Sequence, residues 1–278
     1  MGKSVGVLFF ISFLCLSLHA QKLEKIKGNR TIVIQETLIN SFHTLDVNQD
    51  LEIELKYGAQ ASVEIETDEN LHAVIQFDVR DSLLSFTKTH KITSKKRLKI
   101  KVTYDTNLNT IRTRDKAEIK SLNTLELPCA NVKASGSSKM DLTIKTDSFK
   151  FEGHDRSKTK LDLRSHHSEF ILNDSSRLNG LITSTALKAM LYQRAYAEIN
   201  GTGHSLWLRT NNSAQFMGKN YSIETGDVNC ENTSEATIDA TNNISIEASG
   251  SSSVYLYNNP KITINSLTDT AKLQKKLK

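Results

Sequence analysis

A five-residue phrase returns roughly every nineteen residues through the second half of this chain. It reads Ser138-Lys-Met-Asp-Leu142, Ser157-Lys-Thr-Lys-Leu161, Ser176-Arg-Leu-Asn-Gly180 and Ala195-Tyr-Ala-Glu-Ile199. Ser213-Ala-Gln-Phe-Met217, Ser234-Glu-Ala-Thr-Ile238 and Ser252-Ser-Val-Tyr-Leu256 continue it, and Asp115-Lys-Ala-Glu-Ile119 reads as an earlier, looser copy. Successive starts from Ser138 onward lie 19, 19, 19, 18, 21 and 18 residues apart. Repetition at such a period marks a solenoid, because one coil cannot bury its own apolar face and must stack on its neighbours.

Inside each copy the third and fifth positions are mostly apolar or small, as in Met140 and Leu142 or Ala197 and Ile199. The second and fourth are mostly polar, as in Lys139 and Asp141. A period of two is a strand with one buried face. A second alternating segment follows in each copy, through Phe149 and Phe151, Phe170 and Leu172, Leu206 and Leu208, then Ile223, and Ile244 and Ile246. Short strands joined by Ser, Asn, Asp and Gly corners predict a parallel β-helix of about seven or eight coils, wound right-handed as parallel crossovers usually are. Helical periodicity is nearly absent; only Ala186–Arg194 would pass for a helical turn.

Four segments follow. Residues 1–20 read as a secretory signal peptide, with Lys3, the apolar run Val5–Leu18 and Ala20 before Gln21. Residues 28–105 have a different grammar: Leu51, Ile53 and Leu55 alternate, Tyr57–Gln60 turns, and Val63 and Ile65 alternate again, which is a hairpin signal. Further strands are expected at Ile75–Val79, Leu83–Phe86 and Leu98–Val102. Antiparallel strands there would cover one end of the stack. Residues 106–268 carry the repeats, and 269–278 form a lysine-rich tail expected to be solvated. No later apolar run is long enough for a membrane helix, so the mature protein is expected in the periplasm or at the cell surface.

Lys and Arg total 36 against 31 Asp and Glu. Without Lys3 and the tail lysines Lys272, Lys275, Lys276 and Lys278, the body carries 31 of each sign. No basic stripe of the kind nucleic acid requires is expected. Cys129 and Cys230 belong to different coils and are expected as separate free thiols.

The phrases Ala134–Leu142 (ASGSSKMDL) and Ala248–Leu256 (ASGSSSVYL) resemble the recurrent units of the head GIN domain family of autotransporter-type adhesins. Phe42–Gly58 and Val63–Leu71 resemble that family's opening, and Asn258-Asn-Pro260 its closing turn. The resemblance implies a β-helix at the cell envelope and supplies no catalytic positions. The repeats run nearly to Thr268, so no translocating barrel is expected within this sequence.

Tempting chemistry has plainer readings. The serine row suits tight corners whose hydroxyls bond local backbone. His166 and His167, adjacent on a strand, should face opposite ways and make no metal pair. Asp141 has Lys160, Asn179 and Glu198 as expected row-mates, so carboxylates do not accumulate as calcium-dependent β-helix enzymes require. The six N-x-S/T triplets follow from Asn-rich corners. Lys116, Lys139, Lys158 and Arg177 read as one ladder on a solvated face, partly compensated by Glu118 and Asp141. The sole tryptophan, Trp207, should point outward because Leu206 and Leu208 point in, with Lys188 and Glu224 beside it on adjacent coils. These three residues are the candidate ligand site, for a glycan or an envelope protein. No cofactor or metal is implied. The expected function is non-enzymatic, adhesin-like binding; the alternatives are a polysaccharide-processing enzyme and a purely structural periplasmic module.

Overall fold

The computed structural model describes residues 23–277, so the expected signal peptide lies outside the described residues. The first strands are β1 (Lys25–Lys27), β2 (Ile32–Leu38), β3 (Thr44–Val47), β4 (Glu52–Tyr57) and β5 (Ser62–Asp68). A short 3-10 turn, Glu69–Val74, leads to β6 (Ile75–Arg80), β7 (Leu83–Lys88), β8 (Lys91–Ser94) and β9 (Leu98–Tyr104). Next come β10 (Thr110–Thr113), β11 (Glu118–Ser121) and β12 (Leu125–Ala134). The long strands β13 (Lys139–Gly153), β14 (Lys158–Leu172), β15 (Arg177–Leu191), β16 (Tyr196–Thr210), β17 (Gln215–Cys230) and β18 (Glu235–Ala248) follow. The stack closes with β19 (Ser253–Tyr257), β20 (Lys261–Leu267) and β21 (Lys272–Lys275).

Each long strand pairs in parallel with the next, so the body is a β-solenoid of about nine turns with coils of about nineteen residues. One coil is a bent strand of fifteen residues and a four-residue turn. The side chains alternate as the sequence predicts: Leu142, Leu161, Leu178, Ile199 and Ile238 are buried, and Phe149, Phe151 and Phe170 meet edge to face within the core. Ala186–Arg194, the one helical candidate, is strand and turn.

The turns explain the Asp, Asn and Gly corners. Asp155, Asp174, Gln193, Asn212, Asn232 and Asp269 all adopt left-handed φ between 54° and 63°, as Gly136 and Gly250 do at 69°. Asp and Asn tolerate that conformation better than most residues. Their side chains also tie the coils together. Asp155 Oδ2 accepts the Gly136 N–H at 2.8 Å, and Asp174 Oδ2 accepts the Asp155 N–H at 3.0 Å. The serine row points inward and is buried, with Ser157 and Ser176 donating to the carbonyls of His154 and Asn173.

Several expectations are corrected. The turn count exceeds seven or eight because β3 and β4 are themselves a coil: they pair in parallel with β10 and β11 on one side and with β7 and β9 on the other. Antiparallel pairing at this end is confined to β2–β5, β5–β9 and β6–β7. No β4–β5 hairpin forms, because β9 lies between the two strands. Residues 269–278 are not simply a solvated tail, since β21 pairs with β19 and Leu273 packs on the core. The copy before Ser138 starts at Ala117 rather than Asp115, and the copy after Ala195 at Ala214 rather than Ser213. Cys129 is exposed and Cys230 buried, both unpaired, and burial pushes the Cys230 thiol up to about 11. No helix among the described residues is long and apolar enough to cross a membrane.

Candidate functional site

On the face after the bend of each coil, one outward row runs Lys150, Glu169, Lys188, Trp207, Asp227. A second row, at the bend itself, runs Ser148, His167, Ala186, Ser205, Thr225. Between them lies a groove of about 640 Å³, floored by the strand segments at Phe149, Ser168, Leu187, Leu206 and Gly226. The rows exist because two successive residues face outward at the bend, after which alternation resumes.

Trp207 points outward, 39 % exposed, as its parity predicts. The Lys188 ammonium sits 5.6 Å from the indole centroid, a cation–π arrangement. The same ammonium bonds Glu169 at 3.0 Å, and Glu169 also faces Lys150 at 3.6 Å. This chain of charges holds Lys188 against the ring.

Glu224 is not beside Trp207. The sequence reading put Ile223 in the row of Leu206, but Gly226 occupies that place and Ile223 lies opposite Gly203. A bulge where Glu198–Asn200 meets Met217–Asn220 adds a residue to this coil, so the row-mate of Trp207 is Asp227, twenty residues on. Glu224 stands at the bend, its carboxylate 3.2 Å from His204 Nδ1. Asp227 is the acid that sequence reasoning missed. The signal for it was Gly218, a place for irregularity inside a strand.

The groove is lined by small residues next to the indole: Ala186, Ser205, Thr225 and Gly226. They leave the ring proud of its surroundings, and Asp227 makes no ion pair among those of the described residues. The arrangement offers an apolar stacking plate, a carboxylate acceptor and an ammonium donor side by side. His166 and His167 both face solvent because they straddle the bend, contrary to the opposite-face expectation; His167 joins the groove and His166 faces Asp147 at 3.9 Å. Asp141 keeps its expected row-mates Lys160, Asn179 and Glu198. Among the described residues no three or more His, Cys, Asp or Glu converge as a metal site.

The family model for "Putative auto-transporter adhesin, head GIN domain" matches residues 41–162 and 148–260, two overlapping stretches that together take in nearly the whole solenoid. The chain belongs to this family. A solved structure of a putative adhesin from Parabacteroides merdae ATCC 43184 is similar, with a TM-score of 0.66 at 12 % identity over 91 % of this chain and 99 % of that one. A putative adhesin from Parabacteroides distasonis ATCC 8503 aligns with a TM-score of 0.67 at 12 % identity, over 91 % of this chain and 100 % of that one. A structure from the same organism described as a putative lipid binding protein gives 0.64 at 15 %, over 91 % and 99 %. These identities speak to the shared fold. No curated protein matches the chain. As a head GIN domain protein the chain presents long solenoid faces, and the groove beside Trp207 lies on the face after the bend.

Proposed function

We infer that this protein is a non-catalytic, adhesin-like binding protein of the cell envelope that holds a glycan in the groove beside Trp207. The observation that carries this reading is an exposed indole flanked by small residues, with Lys188 on one side and Asp227 on the other. Sugar rings present apolar C–H faces that stack on an aromatic ring, and their hydroxyls pair with a neighbouring carboxylate and ammonium. Neighbouring coils and the Lys188–Glu169 pair hold the ring, so little side-chain entropy is lost on binding. Membership of an adhesin-type family supports envelope placement, and the leader-like run Val5–Leu18 supports export.

The test is a glycan array probed with the purified protein, followed by titration of the best ligand. Trp207→Ala should weaken binding about two- to tenfold with the melting temperature unchanged, since an aromatic contact of this kind contributes roughly 0.5–1.5 kcal/mol. Equal affinity of wild type and variant would remove the groove from consideration. Calcium-dependent depolymerisation of the bound glycan, lost in Asp141→Asn, would favour the enzyme reading instead.

A further inference from the structure

A second groove, of about 550 Å³, lies on the other face of the coils, before the bend. One wall is the row Glu52, Glu118, Lys139, Lys158, Arg177, acidic at one end and cationic along the rest, in which Glu118 and not Lys116 is the row-mate of Lys139. The facing wall is the row Glu54, Lys120, Asp141, Lys160 and Asn179, and the floor is the sheet between them. Lys139, Lys158, Lys160 and Arg177 are all exposed.

The expected compensation of this ladder is met at Lys139 alone. Glu118 is used up on Lys139, whose ammonium it meets at 2.5 Å. The Arg177 guanidinium lies over the Tyr196 ring at 5.6 Å rather than on an acid. Lys158 and Lys160, two residues apart on one face, enter no ion pair among the described residues, and Asp141, the row-mate of Lys160 on the preceding strand, enters none either. Adjacent strands are about 4.8 Å apart, so three cations stand in a column about 10 Å long. Like charges directly opposite on neighbouring strands repel, and within the column only Lys139, at its end, has an acid against it.

We propose that this groove binds a linear acidic polysaccharide, whose carboxylate or sulfate groups recur along the polymer as Lys139, Lys158 and Arg177 recur along the solenoid. A polymer lying across the strands meets one cation per coil. Arg177 can grip one acidic group through two parallel N–H donors, while Lys158 and Lys160 serve as point charges. A polysaccharide fits better than a nucleic acid: no residue lining the groove is aromatic, and the nearby Tyr196 on the next coil is already covered by Arg177, so successive bases would find no platform to stack on. This site is separate from the Trp207 groove and does not depend on it.

The experiment titrates the full protein with polygalacturonate and with dextran sulfate, using neutral dextran as the control, at several sodium chloride concentrations. Wild type should bind one or both acidic polymers and not dextran, and binding should weaken steadily as salt rises. Lys158→Glu with Arg177→Glu should cut affinity about tenfold or more and flatten the salt dependence. Lys272→Glu with Lys275→Glu, at the end of the stack, should leave affinity unchanged. If charge reversal disturbs the fold, Lys158→Gln with Arg177→Gln gives the same comparison. Absence of binding to both acidic polymers, or full affinity in both Lys158/Arg177 variants, would overturn the proposal. Loss of acidic-polymer binding in Trp207→Ala would move the site to the other groove. Tighter binding of a single-stranded oligonucleotide, lost in the same Lys158/Arg177 variants, would replace the polysaccharide with nucleic acid.

Discussion

Tyr221 occupies an inward row that reads Ile144, Leu163, Ile182, Gly201, Tyr221. It is 1 % exposed, its hydroxyl finds no partner, and burial pushes its phenol well above the ordinary range. The ring fits because Gly203 leaves it room: a Cβ at Gly203 would overlap Tyr221 Oη. An unpaired buried hydroxyl costs roughly 1–3 kcal/mol. Tyr221→Phe should therefore stabilise the protein, by about 1 kcal/mol in urea unfolding. Gly203→Ala should destabilise it, and less so in the Tyr221→Phe background; equal losses in both backgrounds would mean that the hydroxyl is not the obstacle. Residue-level parity was readable without coordinates where neighbours are plain, as for Trp207 between Leu206 and Leu208. The partner of Trp207 was not: the floor position opposite Leu206 is Gly226, which carries no apolar side chain to mark it, so Ile223 three residues earlier looked like the match, and the bulge near Gly218 adds a further residue that leaves only a weak local mark.

The element that repeats is the bent strand with its left-handed corner, and its two faces differ sharply in what they tolerate. Leu142 is buried in a core shared by adjacent coils, so Leu142→Asp places an unpaired charge there. It should cost more than about 4 kcal/mol. Lys139→Ala, which removes only a surface pair with Glu118, should stay within about 1 kcal/mol. Comparable losses in urea unfolding would reverse the inward and outward assignment. A pH-sensitive element joins Lys133 on β12 to Glu152 and Lys150 on β13. The Lys133 ammonium, 2.8 Å away, holds the Glu152 carboxyl below its ordinary range against the opposing effect of partial burial, and Lys150 at 3.2 Å adds to it. A depressed carboxyl pKa stabilises the fold above its unfolded value, and that share is lost as pH falls through the folded value. Wild type should melt higher than Glu152→Gln near neutral pH, and the gap should close on acidification below the usual carboxylate range. A gap that is constant with pH would assign the effect to packing.

At the scale of the whole molecule, the solenoid was legible because its signal is local and repeated: Leu142, Leu161 and Ile199 fall in step with the corner residues Asp155 and Asp174. The N-terminal end was less legible because its order is set by distant pairings. Nothing in the alternation of Ile53 and Leu55 says that β9 will sit between β4 and β5, nor that β3 and β4 will stack as a coil before β10 and β11. The far end differs again. Among the described residues no strand covers β20, and Ile264 there is 51 % exposed although its row-mate Ile246 is buried. Between these ends run two grooves of different chemistry, one aromatic and one cationic. Because Trp207 is the only tryptophan, its fluorescence reports on the first groove alone. The most direct measurement is therefore the emission of the wild-type protein during titration with the glycan it binds. A saturable shift or quench, with a midpoint equal to the calorimetric dissociation constant, is the expected result. Calorimetric binding that leaves the emission unchanged would contradict the assignment of the glycan to this groove.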